Sequence, residues 1–475
     1  MKKILSFYSL KYPKTLVYML QSSEYKIDDY LQWVKRTKDF SQVAKRRQLD
    51  GTIKARLILA LLWLVIVLMV ALACVFILIF QTLWSVLVAV VILLITPWLI
   101  SYVIVVPLYL GHVFIQKPRE KRIIASARQI IANHKGLKIA IAGSYGKTTA
   151  KEILKTVLSQ GKKVAFTPGN MNTLIGISRF TKTLVGDEDI IIFELGEERL
   201  GDVRELCDLT QPDMGVITGI SEAHLSSFGT IENTISTIFG LQDYLGNRTL
   251  YKNQESQYVA SKIKSGDDLA FNREGVNGWK VSNPKVDITG TSFTAKKAGK
   301  TISAHTGLLG LHNIGIITVT ISIADELGLT LEQITAGLNE TVPFEHRMQP
   351  RRIHGAWLID DTYNGNSEGV RAGLLLLKEI EAKRRIYVTP GLVEQGDKTR
   401  EVHEKIGNQI ASVADVVVLM KNSVTKFIVN GLNEAKFNGQ LLIIDNPLEF
   451  YSNLEHFVAA GDVVLMQNDW TDNFA

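Results

Sequence analysis

A short segment rich in glycine, with a lysine followed by two threonines, carries the strongest chemical signal in the sequence. It reads Gly143-Ser-Tyr-Gly-Lys-Thr-Thr149 and lies between an apolar strand pattern at 137–142 and a helical pattern that begins near Ala150. Glycines let backbone N–H groups close around phosphate oxygens, and the following helix turns the positive end of its dipole toward them. The segment therefore predicts a phosphate loop, shortened because Ile141 stands where the usual spacing has another glycine.

The side chains of this loop predict what it binds. Lys147 is expected to neutralise the β- and γ-phosphates, and the Thr148 hydroxyl is expected to ligate magnesium. ATP and Mg²⁺ are therefore the predicted cofactors. The residues of the cradle are Gly143, Ser144, Tyr145, Gly146, Lys147, Thr148 and Thr149. A phosphate loop alone does not separate ATPase motors, kinases and ligases, because all three use the same cradle.

Two further polar residues follow the next strand patterns. Glu194 ends a buried apolar strand, at the carboxyl edge of the sheet where ligands of open α/β folds bind. A carboxylate at this edge suits magnesium, although a solvated acid at a strand end is the alternative. His224 follows the strand pattern at 214–219, which predicts a position beside the phosphate loop; a lone histidine is more often structural. Lys147 and Glu194 are thus expected to share one cleft.

An α/β fold is predicted to position these residues. Short apolar runs alternate with helical patterns from residue 136 to 345, which is typical of a parallel sheet flanked by helices and predicts a central ATP-binding domain. Within it, residues 267–305 predict a small antiparallel insert. Residues 346–475 repeat the α/β pattern and predict a C-terminal, Rossmann-like domain with an open α/β sheet. Residues 111–135 are expected to be a linker.

A long apolar run precedes these domains. No Asp, Glu, Lys or Arg occurs from residue 57 to 116, a length sufficient for two membrane passes of about 20 residues each. Gln81 and Thr82 mark the only plausible tight turn, so residues 56–110 predict a two-helix transmembrane hairpin. A buried hairpin in a soluble core is the alternative.

The charge distribution predicts an orientation in the membrane. Residues 1–56 hold 13 Lys or Arg against 5 Asp or Glu, whereas the whole chain carries only +6. The positive-inside rule then places both termini and the catalytic domains on the cytoplasmic side of the inner membrane. The basic charge is expected to meet anionic membrane lipid and not nucleic acid. The cytoplasmic segment 1–55 is either an interfacial amphipathic element or a plain helical cap.

Seven motifs in a fixed order resemble those of the Mur ligases, in particular the branch that adds D-alanyl-D-alanine to a UDP-N-acetylmuramoyl tripeptide. The similarity covers roughly residues 137–466. The motifs are the phosphate loop, Gly169-Asn-Met-Asn172, Glu194-Leu-Gly196, Ser221-Glu-Ala-His-Leu225 with Phe228-Gly229, Gly310-Leu-His-Asn313, His346-Arg347 and Asp360-Asp-Thr-Tyr-Asn-Gly-Asn366.

The resemblance implies roles for several residues. His224 would ligate a second magnesium, which makes Lys147, Glu194 and His224 the expected catalytic residues and Thr148, Glu194 and His224 the expected metal ligands. Asn170 and Asn172 would lie around the substrate and the γ-phosphate, although a plain turn-forming role stays equally open. The residues expected to contact nucleotide are Asn313, Arg347, Asp361 and Asn364, the last three when the C-terminal domain closes over ATP.

The resemblance also implies a reaction. A carboxylate of a muramoyl-peptide-like substrate is activated by ATP as an acyl phosphate and attacked by an amine donor, in peptidoglycan precursor synthesis. Lys147 and bound magnesium would offset the developing charge, and no protein nucleophile is needed. Two alternatives stay open: a Mur-like ligase or amidating subunit that uses another amine donor and a partner subunit, and a membrane scaffold that binds ATP without turnover.

Two positions depart from the family pattern. Ile238 stands where the family commonly carries a carbamylated lysine that bridges to the second magnesium. The basic segment and hairpin occupy the place of the family's UDP-sugar-binding domain, so recognition of the acceptor must differ. A lipid-linked or membrane-proximal acceptor is one consequence of this arrangement.

Overall fold

A computed structural model describes most of residues 7–468. The residues outside this description are 1–6, 24, 38–39, 41–48, 170, 223–227, 265, 268, 364, 393–394, 396–397 and 469–475. The chain divides into two compact units, Met1–Arg122 and Ile123–Ala475.

The first unit is helical. Its helices are Tyr12–Ser22, Ile27–Arg36, Ile53–Phe80, Leu83–Val103 and Val106–Gly111, followed by a π-helix at His112–Gln116. The Thr52 hydroxyl caps the first long helix by accepting the Ala55 N–H, and Thr82 caps the second in a reciprocal capping box with Ser85. Gln81, in the left-handed conformation with φ 47°, ends the first of these helices. The tight turn predicted at Gln81 and Thr82 is confirmed.

The two long helices carry an apolar surface. Within the described part of the chain, two helical stretches are long and apolar enough to cross a membrane: Ile53–Phe80 and one that begins at Leu83. Leu78 is 69% exposed and Leu87 is 48% exposed. The shorter helix Tyr12–Ser22 buries Leu16 and Leu20 in one apolar cluster with residues of the hairpin, including Leu62. This packing is compatible with both predictions for residues 1–55, an interfacial element and a helical cap.

A six-stranded parallel sheet organises the second unit, as the alternating pattern predicts. Its strands are β1 (Leu137–Ala142), β2 (Val164–Phe166), β3 (Ile190–Glu194), β4 (Met214–Ile217), β5 (Leu250–Asn253) and β6 (Ala270–Phe271), in the order β2-β3-β1-β4-β5-β6. Both faces of the sheet are covered: Ile139 and Ile141 of β1 join one apolar cluster, and Ala140 and Ala142 join the other. This burial on both faces explains why the strands are apolar throughout.

Helices flank this sheet. They are Lys117–Asn133, Lys147–Leu158, Leu174–Phe180, Asp202–Thr210, Ile231–Leu245, Gln257–Ala260, Ile314–Glu326 and Leu331–Asn339, with 3-10 turns at Thr181–Thr183 and Leu311–Asn313. The stretch predicted as a linker at 111–135 is mostly helical. Its helix Lys117–Asn133 buries Ala127 and Ile131 in the core of the second unit.

The antiparallel insert lies where the sequence predicts it. Four strands, β7 (Gly275–Val276), β8 (Trp279–Asp287), β9 (Gly290–Lys297) and β10 (Lys300–Thr306), form a separate sheet in the order β10-β9-β8-β7. Adjacent strands pair in antiparallel fashion.

The C-terminal sheet is mixed and not purely parallel. Its strands are β11 (Gln349–Ile353), β12 (Ala356–Asp361), β13 (Arg385–Thr389), β14 (Val416–Met420), β15 (Gln440–Ile444) and β16 (Val463–Gln467), in the order β11-β12-β16-β13-β14-β15. The edge strand β11 runs antiparallel to β12. The sequence did not predict this strand, because Pro350 and two arginines interrupt the apolar pattern of a strand. Proline is tolerated at the edge of a sheet. The helices are Ser367–Glu379, Thr399–Ala411, Thr425–Glu434, Pro447–Ser452 and Leu454–Phe457.

Ile238 lies in the core. It belongs to helix Ile231–Leu245, is fully buried, and joins the apolar cluster on one face of the parallel sheet. An isoleucine at this position therefore stabilises the fold by burial of apolar surface.

We expect Ile238→Lys to destabilise the protein by on the order of 3 kcal/mol, because an ammonium group would replace an apolar side chain in the core. Ser236→Lys is the matched control, since Ser236 is exposed on the same helix. The measurement is the unfolding midpoint of the detergent-solubilised full-length chain. Equal midpoints for the two variants would contradict the placement of Ile238 in the core.

Candidate active site

The phosphate loop connects β1 to the helix Lys147–Leu158. Gly143 has φ 147°, and a Cβ atom there would lie 2.3 Å from the Thr218 hydroxyl oxygen. Gly146, at the N-terminus of the helix, has φ 77°. Both positions need glycine, because other residues would meet backbone strain at each and a collision at the first. The loop is anchored by the Ser144 N–H, which donates to the Gly219 carbonyl at 2.7 Å.

One buried polar atom of the loop lacks a hydrogen-bond partner in the described part of the chain. The Ser144 hydroxyl is buried and has no hydrogen-bond partner among the described residues. A buried hydroxyl without a partner is costly, and a phosphate oxygen would satisfy it. The loop therefore fits the phosphate-binding role that its sequence predicts.

Lys147 is bound by a carboxylate that sequence analysis did not single out. Its ammonium nitrogen lies 2.9 Å and 2.7 Å from the two carboxylate oxygens of Glu197, and it also donates to the Gly143 carbonyl. The side chains of Lys147 and Glu197 are 12% and 4% exposed. The signal in the sequence was the position of Glu197, three residues after Glu194 at the same strand end, but only the folded loop shows where it points.

Glu194 lies at the end of β3, where the sequence predicts it, beside the first turn of the loop helix. One carboxylate oxygen, Oε1, is 3.3 Å from the Thr148 hydroxyl and 3.3 Å from the Asn172 side-chain amide. The Glu194 backbone N–H donates to the Thr167 hydroxyl at 3.0 Å. Lys147, Thr148, Asn172 and Glu194 are therefore brought together around one helix turn.

Lys151 is a second functional candidate that sequence analysis missed. Its side chain is fully buried, with its nitrogen 3.0 Å from Glu194 Oε2 and 2.9 Å from the Gly169 carbonyl to which it donates. Lys151 follows Lys147 by four residues and so shares its face of the helix, which was the available signal. The lysine links the loop helix, β3 and the asparagine loop.

The oxygen atoms around Thr148 fit magnesium. A hydroxyl and a carboxylate are hard ligands of the kind that Mg²⁺ takes, together with substrate phosphates and water. Among the described residues there is no group of three or more His, Cys, Asp and Glu side chains that could hold a metal ion. The fit therefore rests on Thr148 and Glu194.

A cavity opens next to the loop, between the parallel sheet and the C-terminal sheet. It brings together six of the predicted nucleotide residues: Tyr145, Gly146, Thr149, Asn313, Arg347 and Asp361. Asn313 is buried and donates to the Leu309 carbonyl at 2.9 Å. The Arg347 guanidinium lies 4.9 Å from the centre of the Tyr363 ring. The cavity is thus built by both α/β domains.

Burial shifts the pKa of several titratable groups that line this cavity, including Asp361 and His312. It raises the pKa of Asp361 to about 6, although the hydrogen bond from Gln467 at 2.7 Å opposes the shift. It lowers the pKa of His312 to about 4, so this imidazole is neutral at neutral pH. His312 was not among the predicted site residues, although it stands inside a motif that was.

Three predicted site residues, Asn170, His224 and Asn364, lie outside the described residues. Their roles stay predictions.

Comparison with known proteins gives the context of this site. The family model for the Mur ligase middle domain matches residues 141–323, and that for the Mur ligase glutamate ligase domain matches residues 346–467. The UDP-N-acetylmuramoyl-tripeptide--D-alanyl-D-alanine ligase of Buchnera aphidicola is 29% identical over 328 residues, which cover 64% of this chain and 70% of that protein. The protein of the same name from Escherichia coli is 26% identical, with 62% of this chain and 67% of that protein covered. For the Synechocystis relative, 28% identical, the match covers 60% of this chain and 62% of that protein.

Solved structures share the fold. A MurF ligase from Thermotoga maritima in complex with ADP has a TM-score of 0.64 and 24% identity, covering 74% of this chain and 80% of that one. MurF from Acinetobacter baumannii has a TM-score of 0.63 and 21% identity, covering 74% and 76%.

The two matched segments together make up more than half of the chain. They contain the phosphate loop, Glu194 and the nucleotide residues of the C-terminal sheet domain. The chain belongs to the Mur ligase family.

Proposed function

We propose that this protein is an ATP-dependent ligase that joins D-alanyl-D-alanine to a UDP-N-acetylmuramoyl-tripeptide-like carboxylate in peptidoglycan precursor synthesis. The observation that carries the proposal is the junction of Thr148 and Glu194, 3.3 Å apart, beside the phosphate-loop lysine. The names of the similar proteins support the choice of substrates.

Different residues of the site bind the nucleotide, hold the metal and position the metal ligand. The loop amides and the Lys147 ammonium bind and orient the polyphosphate of ATP, while Thr148 and Glu194 would hold Mg²⁺. When bound, magnesium supplies charge stabilisation to the phosphoryl group that is transferred. Lys151 fixes one oxygen of Glu194 and leaves the other directed at Thr148 and Asn172. Positioning and electrostatics thus provide the catalysis, without a protein nucleophile.

The C-terminal domain completes the nucleotide cavity in this proposal. Arg347, held over Tyr363, faces the same space as the loop residue Thr149. Asp361 accepts hydrogen bonds from the Met348 N–H at 3.2 Å and from Gln467, which fix its orientation in the cavity wall.

The helical hairpin would anchor this enzyme in the inner membrane, with both termini and the catalytic domains in the cytoplasm. The exposed apolar side chains of the two long helices and the basic charge of residues 1–56 support this placement. The basic segment would then bind anionic lipid. An acceptor substrate at the membrane would lie close to the catalytic domains.

A second candidate function is nucleotide binding without turnover. The burial of Ile238 in the core favours it, because the isoleucine side chain packs in an apolar cluster and carries no group that could ligate a metal. A ligase or amidating subunit with another amine donor, working with a partner subunit, is a third possibility that the substrate assay below separates from the first.

Phosphate release by the purified full-length protein tests the proposal. We expect release from ATP only when a UDP-N-acetylmuramoyl tripeptide and D-alanyl-D-alanine are both present, because the amine consumes the activated carboxylate. Release with another amine would support the amidating alternative. ADP binding with no release under any combination would support the scaffold and overturn the ligase.

Lys147→Ala should lower the rate of phosphate release at least about a hundredfold, since the ammonium group that stabilises the polyphosphate is lost. Lys182→Ala is the control, because Lys182 is exposed elsewhere on the same domain. A Lys147→Ala rate equal to that of the control would refute the assignment of the phosphate loop.

The raised pKa of Asp361 predicts a pH dependence of stability. Between its ordinary value of 3.8 and its folded value of about 6, the folded state binds more protons at this group than the unfolded state. The contribution of Asp361 to stability should therefore fall as pH rises from about 4 to 6, and level off above. The Asp361→Asn variant has no titrating group at this position and should lack this pH dependence. The difference in unfolding midpoint, variant minus wild type, should therefore increase as pH rises from about 4 to 6. A constant difference would contradict the prediction.

A further inference from the structure

The Lys147 ammonium group, which must bind phosphate, is engaged in an ion pair with Glu197. Both carboxylate oxygens of Glu197 lie within 2.9 Å of the Lys147 nitrogen, and neither side chain is more than 12% exposed. When a polyphosphate enters the loop, it therefore competes with a buried carboxylate for the same ammonium group.

The backbone fixes Glu197 at this place. The preceding Gly196 donates its N–H to the Asn172 carbonyl at 2.8 Å, and a Cβ atom at Gly196 would lie only 2.8 Å from that carbonyl oxygen. Glu197 is thus held close to the asparagine loop, three residues beyond Glu194. The carboxylate does not have the freedom of an exposed surface acid.

Two buried ion pairs lie beside the loop before nucleotide binds. Lys151 is paired with Glu194, and Lys147 with Glu197. Lys151 is fully buried and also bound to the Gly169 carbonyl, whereas Lys147 stands in the phosphate loop. Lys147 is therefore the ammonium group that phosphate draws away. Glu197 would then face an incoming polyanion without the Lys147 ammonium group, which is unfavourable in a site of low dielectric constant.

We propose that Glu197 exchanges Lys147 for a divalent cation when nucleotide binds, and so becomes a magnesium ligand, directly or through a bound water. This inference rests on the proposed function only in taking a nucleotide as the ligand of the loop. Carboxylate oxygen suits magnesium, and one cation between Glu197 and the phosphates offsets the charge of both. Nucleotide and metal then bind with strong positive coupling, because each removes the cost of binding the other.

The exchange is tested by ADP affinity, measured calorimetrically on the full-length protein in EDTA and in Mg²⁺. In EDTA, Glu197→Gln should bind ADP roughly tenfold more tightly than wild type, because no buried charge is left behind when Lys147 turns to phosphate. The gain in affinity that Mg²⁺ gives should shrink by a similar factor. Glu198→Gln, at the exposed neighbouring residue, should match wild type.

A role for Glu197 in merely orienting Lys147 predicts the opposite sign. Glu197→Gln would then bind ADP more weakly in EDTA, and the Mg²⁺ enhancement would be unchanged; either result overturns the proposal. Absence of ADP binding to wild type in Mg²⁺ would overturn both this proposal and the proposed function. If Mg²⁺ and ADP binding are coupled as predicted but the protein shows no ligase turnover, only the proposed function is overturned.

Binding of Mn²⁺ to the nucleotide-free protein, followed by electron paramagnetic resonance, is an independent test. Lys147→Met should raise Mn²⁺ affinity roughly tenfold by releasing Glu197 from its ion pair. The double variant Lys147→Met/Glu197→Gln should lose that gain. Equal Mn²⁺ affinity in the single and double variants would show that Glu197 is not a ligand.

Discussion

Pairing of buried charges at the carboxyl edge of the parallel sheet is the constraint on which the site depends. Two lysines of one helix face, four residues apart, meet two glutamates of one strand end, three residues apart. Removing one partner from a buried pair costs far more than the pair itself contributes. In the proposed exchange, a polyanion therefore binds only if Lys147 turns from Glu197 to the phosphates and a cation takes its place. The binding of metal and the binding of nucleotide are then coupled.

The fold places this charged cluster where it can work. In the order β2-β3-β1-β4-β5-β6, the central strand β1 leads into the phosphate loop, and its neighbour β3 ends at Glu194. Because the strands are parallel, both ends lie at the same edge. Apolar clusters on the two faces of the sheet hold these strands rigidly, so distances of about 3 Å between polar groups are set by the hydrophobic core.

The chain departs from a simple nucleotide-binding domain at its N-terminal end. The first unit contains a helical hairpin with exposed apolar side chains, and its shorter helices pack against hairpin residues. The exposed apolar side chains of the hairpin are the observation on which the proposed membrane anchor rests. Ile238, in the second unit, contributes to the apolar core.

The sequence by itself determined the phosphate loop, the parallel sheet, the antiparallel insert and the hairpin turn, because glycine spacing, apolar periodicity and capping residues act locally. It also placed Glu194 at a strand end near Lys147, since parallel strands share an edge. It did not reveal the edge strand β11, whose proline and arginines mask its pairing. Only the tertiary structure showed that Glu197 holds Lys147 and that Lys151 holds Glu194. Buried ion pairs between distant segments depend on the direction of each side chain after folding, and no local pattern encodes that direction.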